Sequence, residues 1–201
     1  MIEFVEEIFE NYITVFNKYA SMSRNILVTA ARLISDTFLS GGKIYLVGNG
    51  ASAADAQHIA AEFINRINLE RPPLPAIALT TNASAITSIA SDSSYEDIYL
   101  KQLMSQISQK DLLWAFLADG DNTNIIKAIQ FSSENSVKTI GFTGENVKGV
   151  EGLCDLILKI PSINSARVQE LHLLSAHIIC ELVDEILFGM YRDSVYSEDD
   201  I

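Results

Sequence analysis

The chain has 201 residues, 48% of them hydrophobic and 20% charged, which fits one globular domain with a sizeable core and excludes a disordered chain. A formal net charge of −12 argues against direct nucleic-acid binding, which needs a basic face, and against an anionic membrane surface. No apolar run approaches the ~18 residues of a spanning helix; Glu3, Glu6 and Glu7 stand where a signal peptide is basic; Cys154 and Cys180 form no metal or disulfide pattern, so a cytoplasmic protein with reduced thiols is expected.

Taken in chain order, Ile2, Val5, Ile8, Phe9, Ile13 and Phe16 recur at helical spacing, predicting a first helix to Tyr19 with an acidic outer face. Ser23 is a candidate cap for a second helix reaching about Phe38, and Ser40-Gly41-Gly42 ends it. This N-terminal helical pair, residues 1–40, would pack on its own sheet or on another subunit. From Lys43 the pattern becomes strand, turn, helix, repeated. Apolar runs at 43–47, 75–79, 111–116, 137–142 and 155–160 alternate with helical stretches at 52–66, 84–106 (broken near Ser93) and 122–135. Such alternation predicts a three-layer α-β-α sandwich around a five-stranded parallel sheet, in one domain spanning 1–190. A last helix runs from about Ser165 to Phe188, Gly189 ends it, and 191–201 form an acidic tail.

Ligands of parallel sheets bind beyond the carboxyl ends of the strands. There the chain places Gly48-Asn49-Gly50-Ala51-Ser52, a glycine-flanked turn opening a helix. Such a turn exposes backbone N–H groups that favour an anion, and Ser52 can cap the helix or bond that anion; a plain tight turn is the competing reading. His58 and Glu62 follow at i and i+4 on one helix face, a spacing that suits a metal or an acid/base pair as well as an ordinary surface contact. On the last helix Gln169 and His172 share a face. His177 lies eight residues past Gln169, roughly 12 Å along the axis. A metal reached by both would need extended side chains, a site at the helix start, or helices from different chains. Taken singly, His177 reads as a core histidine.

The run Gly48 to Glu62 resembles the first motif of the sugar isomerase (SIS) domain family, in the form found in bacterial sedoheptulose 7-phosphate isomerases. The resemblance continues through Arg71-Pro72-Pro73-Leu74-Pro75-Ala76-Ile77-Ala78-Leu79, Ser91-Asp92-Ser93-Ser94-Tyr95-Glu96-Asp97, and Ser165 to His172, His177 and Glu181. It implies a flavodoxin-like sheet and an aldose–ketose isomerase working through an enediol, in carbohydrate metabolism that supplies heptose to the lipopolysaccharide core. It also implies a homotetramer with sites built between subunits, one zinc per site on His58, Glu62, Gln169 and His177, and Glu62 and His177 as the acid/base pair. A sugar phosphate would be held by Asn49, Gly50, Ala51, Ser52, Asp92, Gln169, Asp119 and Asn122. Asp92 equally suits a turn or helix cap. A more distant resemblance is to a non-catalytic relative that binds the replication initiator, which would make the chain a scaffold.

One segment departs from the pattern. The family's second phosphate loop reads Ser-Thr-Ser-Gly-Asn-Ser; here it reads Leu117-Ala118-Asp119-Gly120-Asp121-Asn122. Most hydroxyl donors are gone and two carboxylates have appeared. Like charges ~4 Å apart repel by about 1 kcal/mol in water and several times that in a partly buried cleft. The loop therefore points to weak phosphate binding, to a different ligand, or to the scaffold. Asn122 and Thr123 keep the ability to cap the next helix.

Overall fold

The computed structural model describes residues 1–118 and 122–189. Asp119, Asp121 and the acidic tail fall outside them. Eleven elements follow in order: α1 (Ile2–Leu39), β1 (Ile44–Gly48), α2 (Ala51–Ile64), β2 (Ala76–Ala78), α3 (Ala83–Asp92), α4 (Ile98–Met104), β3 (Leu112–Leu117), α5 (Thr123–Glu134), β4 (Lys138–Thr143), β5 (Leu156–Lys159) and α6 (Ser165–Phe188). A 3-10 turn, Tyr95–Asp97, joins α3 to α4. The sheet is wholly parallel in the order β2-β1-β3-β4-β5. That order places the topological switch between β1 and β3, where helices leave the sheet towards opposite faces and open a crevice.

The strands are apolar almost throughout because both faces are covered. Ile44 and Leu46 of β1, Trp114 and Phe116 of β3, and Ile140 and Phe142 of β4 face α1, α2 and α6. Their neighbours Tyr45, Val47, Leu113, Ala115 and Leu117 face α4 and α5. The period of two thus delivers each strand to two cores. No helix among the described residues is long and apolar enough to cross a membrane.

The expected N-terminal pair is one continuous helix of 38 residues. Ser23 does not cap a second helix; it is buried within the first. Tyr19, Ser23, Leu27, Ala30, Ala31 and Ile34 form an unbroken buried stripe across the expected junction, with no Gly or Pro to interrupt it. Ser21 donates its hydroxyl to the carbonyl of Lys18, a bond made inside the helix. The preceding apolar residues Ile2, Phe4, Phe9 and Ile13 stay exposed on this single chain.

His172 of α6 is fully buried against Phe116 and Phe142, with Nε2 beside the carbonyl of Thr143 and Nδ1 unpartnered. Burial pushes its pKa down from 6.5 to about 4, opposed by the Thr143 contact. The folded chain therefore holds this ring neutral where the unfolded chain protonates it. Stability should fall as pH drops from 6.5 towards 4, by roughly 3 kcal/mol at the low end. Urea unfolding across that window should show a shallower pH dependence for His172→Gln than for the parent; identical slopes would assign the acid loss to other groups.

Candidate functional site

The turn after β1 is set by backbone geometry. A Cβ on Gly48 would lie 2.3 Å from the carbonyl oxygen of Ser52, and Gly50 has φ +56°, the left-handed region. Gly50 is the N-cap of α2, and no side chain caps this helix. Ser52 is therefore not the cap; it is buried inside the first turn. Asn49 sits at the crevice between β1 and β3. Its Nδ2 donates to Oδ1 of Asn122 and of Asn124, both at 2.8 Å, and Asn124 Nδ2 donates back to Asn49 Oδ1 at 2.9 Å. Tyr95 donates to the same oxygen at 3.2 Å, and Tyr99 donates to the Gly48 carbonyl at 2.5 Å. Asn122 is at the N-cap of α5 but makes no side-chain cap bond, because its amide oxygen is taken by Asn49. Beside this network lies a pocket of about 350 Å³ lined by Asn49, Ala51, Ser52, Ala118, Ser165 and Gln169. Asn164 caps α6 at its edge, accepting from the N–H groups of Ala166 and Arg167.

Farther along α2 the two long helices bring their histidines together. His58 Nε2 lies 3.0 Å from His177 Nε2, across 119 residues of chain, so one ring donates and the other accepts. Glu62 Oε1 is 3.6 Å from His58 Nε2, and the Glu62 side chain is 19% exposed. Burial lowers the pKa of His177, the neighbouring His58 adds to this, and Glu62 and Glu181 oppose it. His177 is half-buried on α6, and its ring meets His58 on another helix. Among the described residues no group of three or more His, Cys, Asp or Glu is arranged to hold a metal ion. Gln169 stands apart from the histidines. Its Nε2 donates to Asp55 Oδ1 at 3.3 Å, and Gln169 lines the pocket instead. Asp92 is exposed at the end of α3.

Asp55 and Arg71 lie within the runs that carry the family resemblance but are not among its expected site residues. Asp55 precedes His58 by three residues on the same helix, so helical spacing carried the signal. Arg71 carried none, since its partners are scattered. Its Nε donates to Asp184 Oδ1 at 2.6 Å, Nη2 to the Glu62 carbonyl at 3.0 Å, and Nη1 to the carbonyls of Phe63, Asn65 and Pro72 at 2.8, 3.3 and 3.2 Å. One guanidinium thereby closes the C-terminus of α2 and ties it to α6. Burial raises the Asp184 pKa, opposed by Arg71.

Comparison with known proteins agrees with this architecture. The SIS domain family model matches residues 7–144. A phosphoheptose isomerase of Nitratidesulfovibrio vulgaris is 41% identical over 170 residues, covering 85% of this chain and 82% of the relative. Another, of Shewanella sediminis, is 38% identical over 191 residues, covering 94% and 97%. The solved phosphoheptose isomerase of Neisseria gonorrhoeae superposes with a TM-score of 0.86 at 32% identity, over 91% of this chain and 98% of that one.

The Arg71 tie has a direct consequence for stability. Arg71→Met leaves Asp184 buried without its counter-ion and should cost about 3–5 kcal/mol in urea unfolding. The double variant Arg71→Met, Asp184→Leu should recover part of that loss. A single variant within 1 kcal/mol of the parent would show the pair to be dispensable.

Proposed function

Because this chain belongs to the SIS-domain family, we infer that the meeting of α2 and α6 is the active site of an aldose–ketose isomerase acting on sedoheptulose 7-phosphate. The observation that carries the reading is the approach of His177 to His58 and Glu62, a histidine–histidine–carboxylate cluster built from two helices. Isomerisation needs a base to take the proton alpha to the carbonyl, giving an enediol, and an acid–base partner to move protons between the two oxygens. Glu62 is the base and His177 the partner. Partial burial favours the neutral imidazole of His177, which can both accept and donate.

The donor types suit zinc: two ring nitrogens and a carboxylate oxygen are borderline-soft ligands. In this structure they meet one another, at 3.0 Å between His58 Nε2 and His177 Nε2 and 3.6 Å between His58 Nε2 and Glu62 Oε1, and are not arranged around an ion. His58, Glu62 and His177 would hold the ion; Gln169, which the family resemblance gives as the fourth residue, is turned to Asp55 here. Bound zinc supplies a Lewis acid for charge developing on the enediol oxygens. His58→Ala or His177→Ala should abolish stoichiometric zinc by metal analysis, and Glu62→Gln should lower kcat by about 10²–10⁴. A parent chain that refuses zinc at micromolar concentration and neutral pH defeats the metal assignment. One that does not turn over sedoheptulose 7-phosphate defeats the enzyme.

We read residues 1–190 as one SIS domain whose first helix serves assembly. The exposed apolar side chains Ile2, Phe4, Phe9 and Ile13 need cover, and copies of the same helix supply it in a homotetramer. Light scattering should report about four times the monomer mass. A monomer at micromolar concentration would overturn both the assembly and any shared site, including a part for Asp92.

Phosphate should bind weakly. Leu117 is fully buried in the α5-side core and offers the pocket nothing, Ala118 lacks a hydroxyl, and the Asn122 amide oxygen is engaged by Asn49. Asp119 and Asp121 add two negative charges to a loop that would meet a dianion. Restoring the donors through Ala118→Thr, Asp119→Ser, Asp121→Asn and Asn122→Ser, while keeping Leu117 for the core, should tighten sedoheptulose 7-phosphate at least tenfold by calorimetry and raise turnover at low substrate. Tight binding without turnover in the restored chain would favour a scaffold.

A further inference from the structure

Asp55 lies on α2 one turn before His58, where α6 brings Gln169 against it. It is 5% exposed; Oδ1 accepts from Gln169 Nε2, and Oδ2 is buried without a hydrogen-bond partner. A buried carboxylate with one long hydrogen bond is expensive, and as a packing element Asn or Leu would serve better. The two ends of a glutamine amide are nearly the same shape and differ only in donating or accepting. An ionised carboxylate only accepts. Opposite Asp55 the nitrogen end is favoured, and the oxygen end would set oxygen against oxygen.

We propose that Asp55 is a positioning residue that fixes the Gln169 amide with its nitrogen on α2 and its oxygen turned to the pocket between Asn49, Ser52 and Ala118. Gln169 then enters the site as a neutral acceptor. An oxygen of that kind ligates a cation or takes a hydrogen bond from a sugar hydroxyl, and it adds no charge to the pocket. The role in metal binding rests on the zinc reading above; the orientation itself does not. Carboxylates standing behind metal ligands fix their orientation, and losing one typically costs 10–100-fold in affinity.

The test uses the full chain with glutamine labelled by nitrogen-15, as parent, Asp55→Asn and Asp55→Leu. The Gln169 side-chain amide signal, identified by its loss in Gln169→Glu, should exchange with solvent at least tenfold more slowly in the parent than in either variant. Zinc affinity, from competition with a chelator, should fall 10–100-fold in Asp55→Asn while the urea midpoint holds or rises, which a purely structural role would not produce. Unchanged amide exchange in Asp55→Asn, or zinc bound as tightly as by the parent, overturns the proposal. If the parent takes no zinc the metal reading falls alone, and amide exchange still decides the orientation. Should Asp55→Leu not fold, Asp55→Asn carries the test.

Discussion

The site depends on how α2 is held against α6, and that hold is a buried ion pair. Taking Arg71 and Asp184 out of water costs several kcal/mol per ion, which mutual attraction alone repays poorly. The geometry here supplies more than attraction. The guanidinium also satisfies carbonyls at the end of α2, groups that every helix C-terminus leaves open. A helix end needs donors, a buried aspartate needs a cation, and one planar fork answers both. Lysine, a point charge on a flexible stem, would not reach the same acceptors together. The consequence is positional. Glu62 contributes a carbonyl to the clamp and a carboxylate to the histidine cluster, and His177 lies two turns before Asp184 on the partner helix. Any slip between the helices moves the two halves of the cluster apart.

A second constraint acts at the other end of α2. Gly48 lets the first turn of the helix fold back on the strand, and Gly50 takes a backbone angle that side chains resist. These glycines are explained by the turn itself, with no ligand needed. What makes the turn a site is the neighbouring amide network. Asn49, Asn122 and Asn124 join the ends of β1 and β3 across the switch point, so the crevice floor is cross-linked by neutral groups. Those bonds also consume the acceptor that would otherwise cap α5.

The sheet was legible in the sequence because both of its faces are buried, and five apolar runs separated by helical stretches leave few other folds. Helix ends with glycine were legible for the same kind of reason: Gly189 adopts the left-handed conformation at the end of α6. The junction assigned at Ser23 failed because a serine caps a helix only if the chain breaks there, and the buried stripe from Tyr19 to Ile34 does not break. His58 with Glu62 was visible as spacing on one helix. His177 was visible only through family resemblance, since a lone histidine on an apolar helix carries no local signal of a partner 119 residues away. The pairing of Arg71 with Asp184 had no signature, because they lie 113 residues apart and the other acceptors of Arg71 are backbone atoms, which are the same at every residue.

The altered second loop separates two properties that a motif joins. A phosphate loop has to turn the chain from β3 into α5 and has to present donors to an anion. On either side of the turn Leu117 is buried in the core and the Asn122 carbonyl accepts the N–H groups of Ile125 and Ile126. The donors are what changed. The histidine–glutamate cluster proposed as the acid/base site lies on other elements, on helices tied by Arg71 rather than by this loop. Nothing in the clamp or in the strand core therefore constrains which side chains the loop carries. The proposed chemistry and the proposed phosphate contacts thus reside in separate parts of the fold, and the sequence departs from the family pattern only in the second.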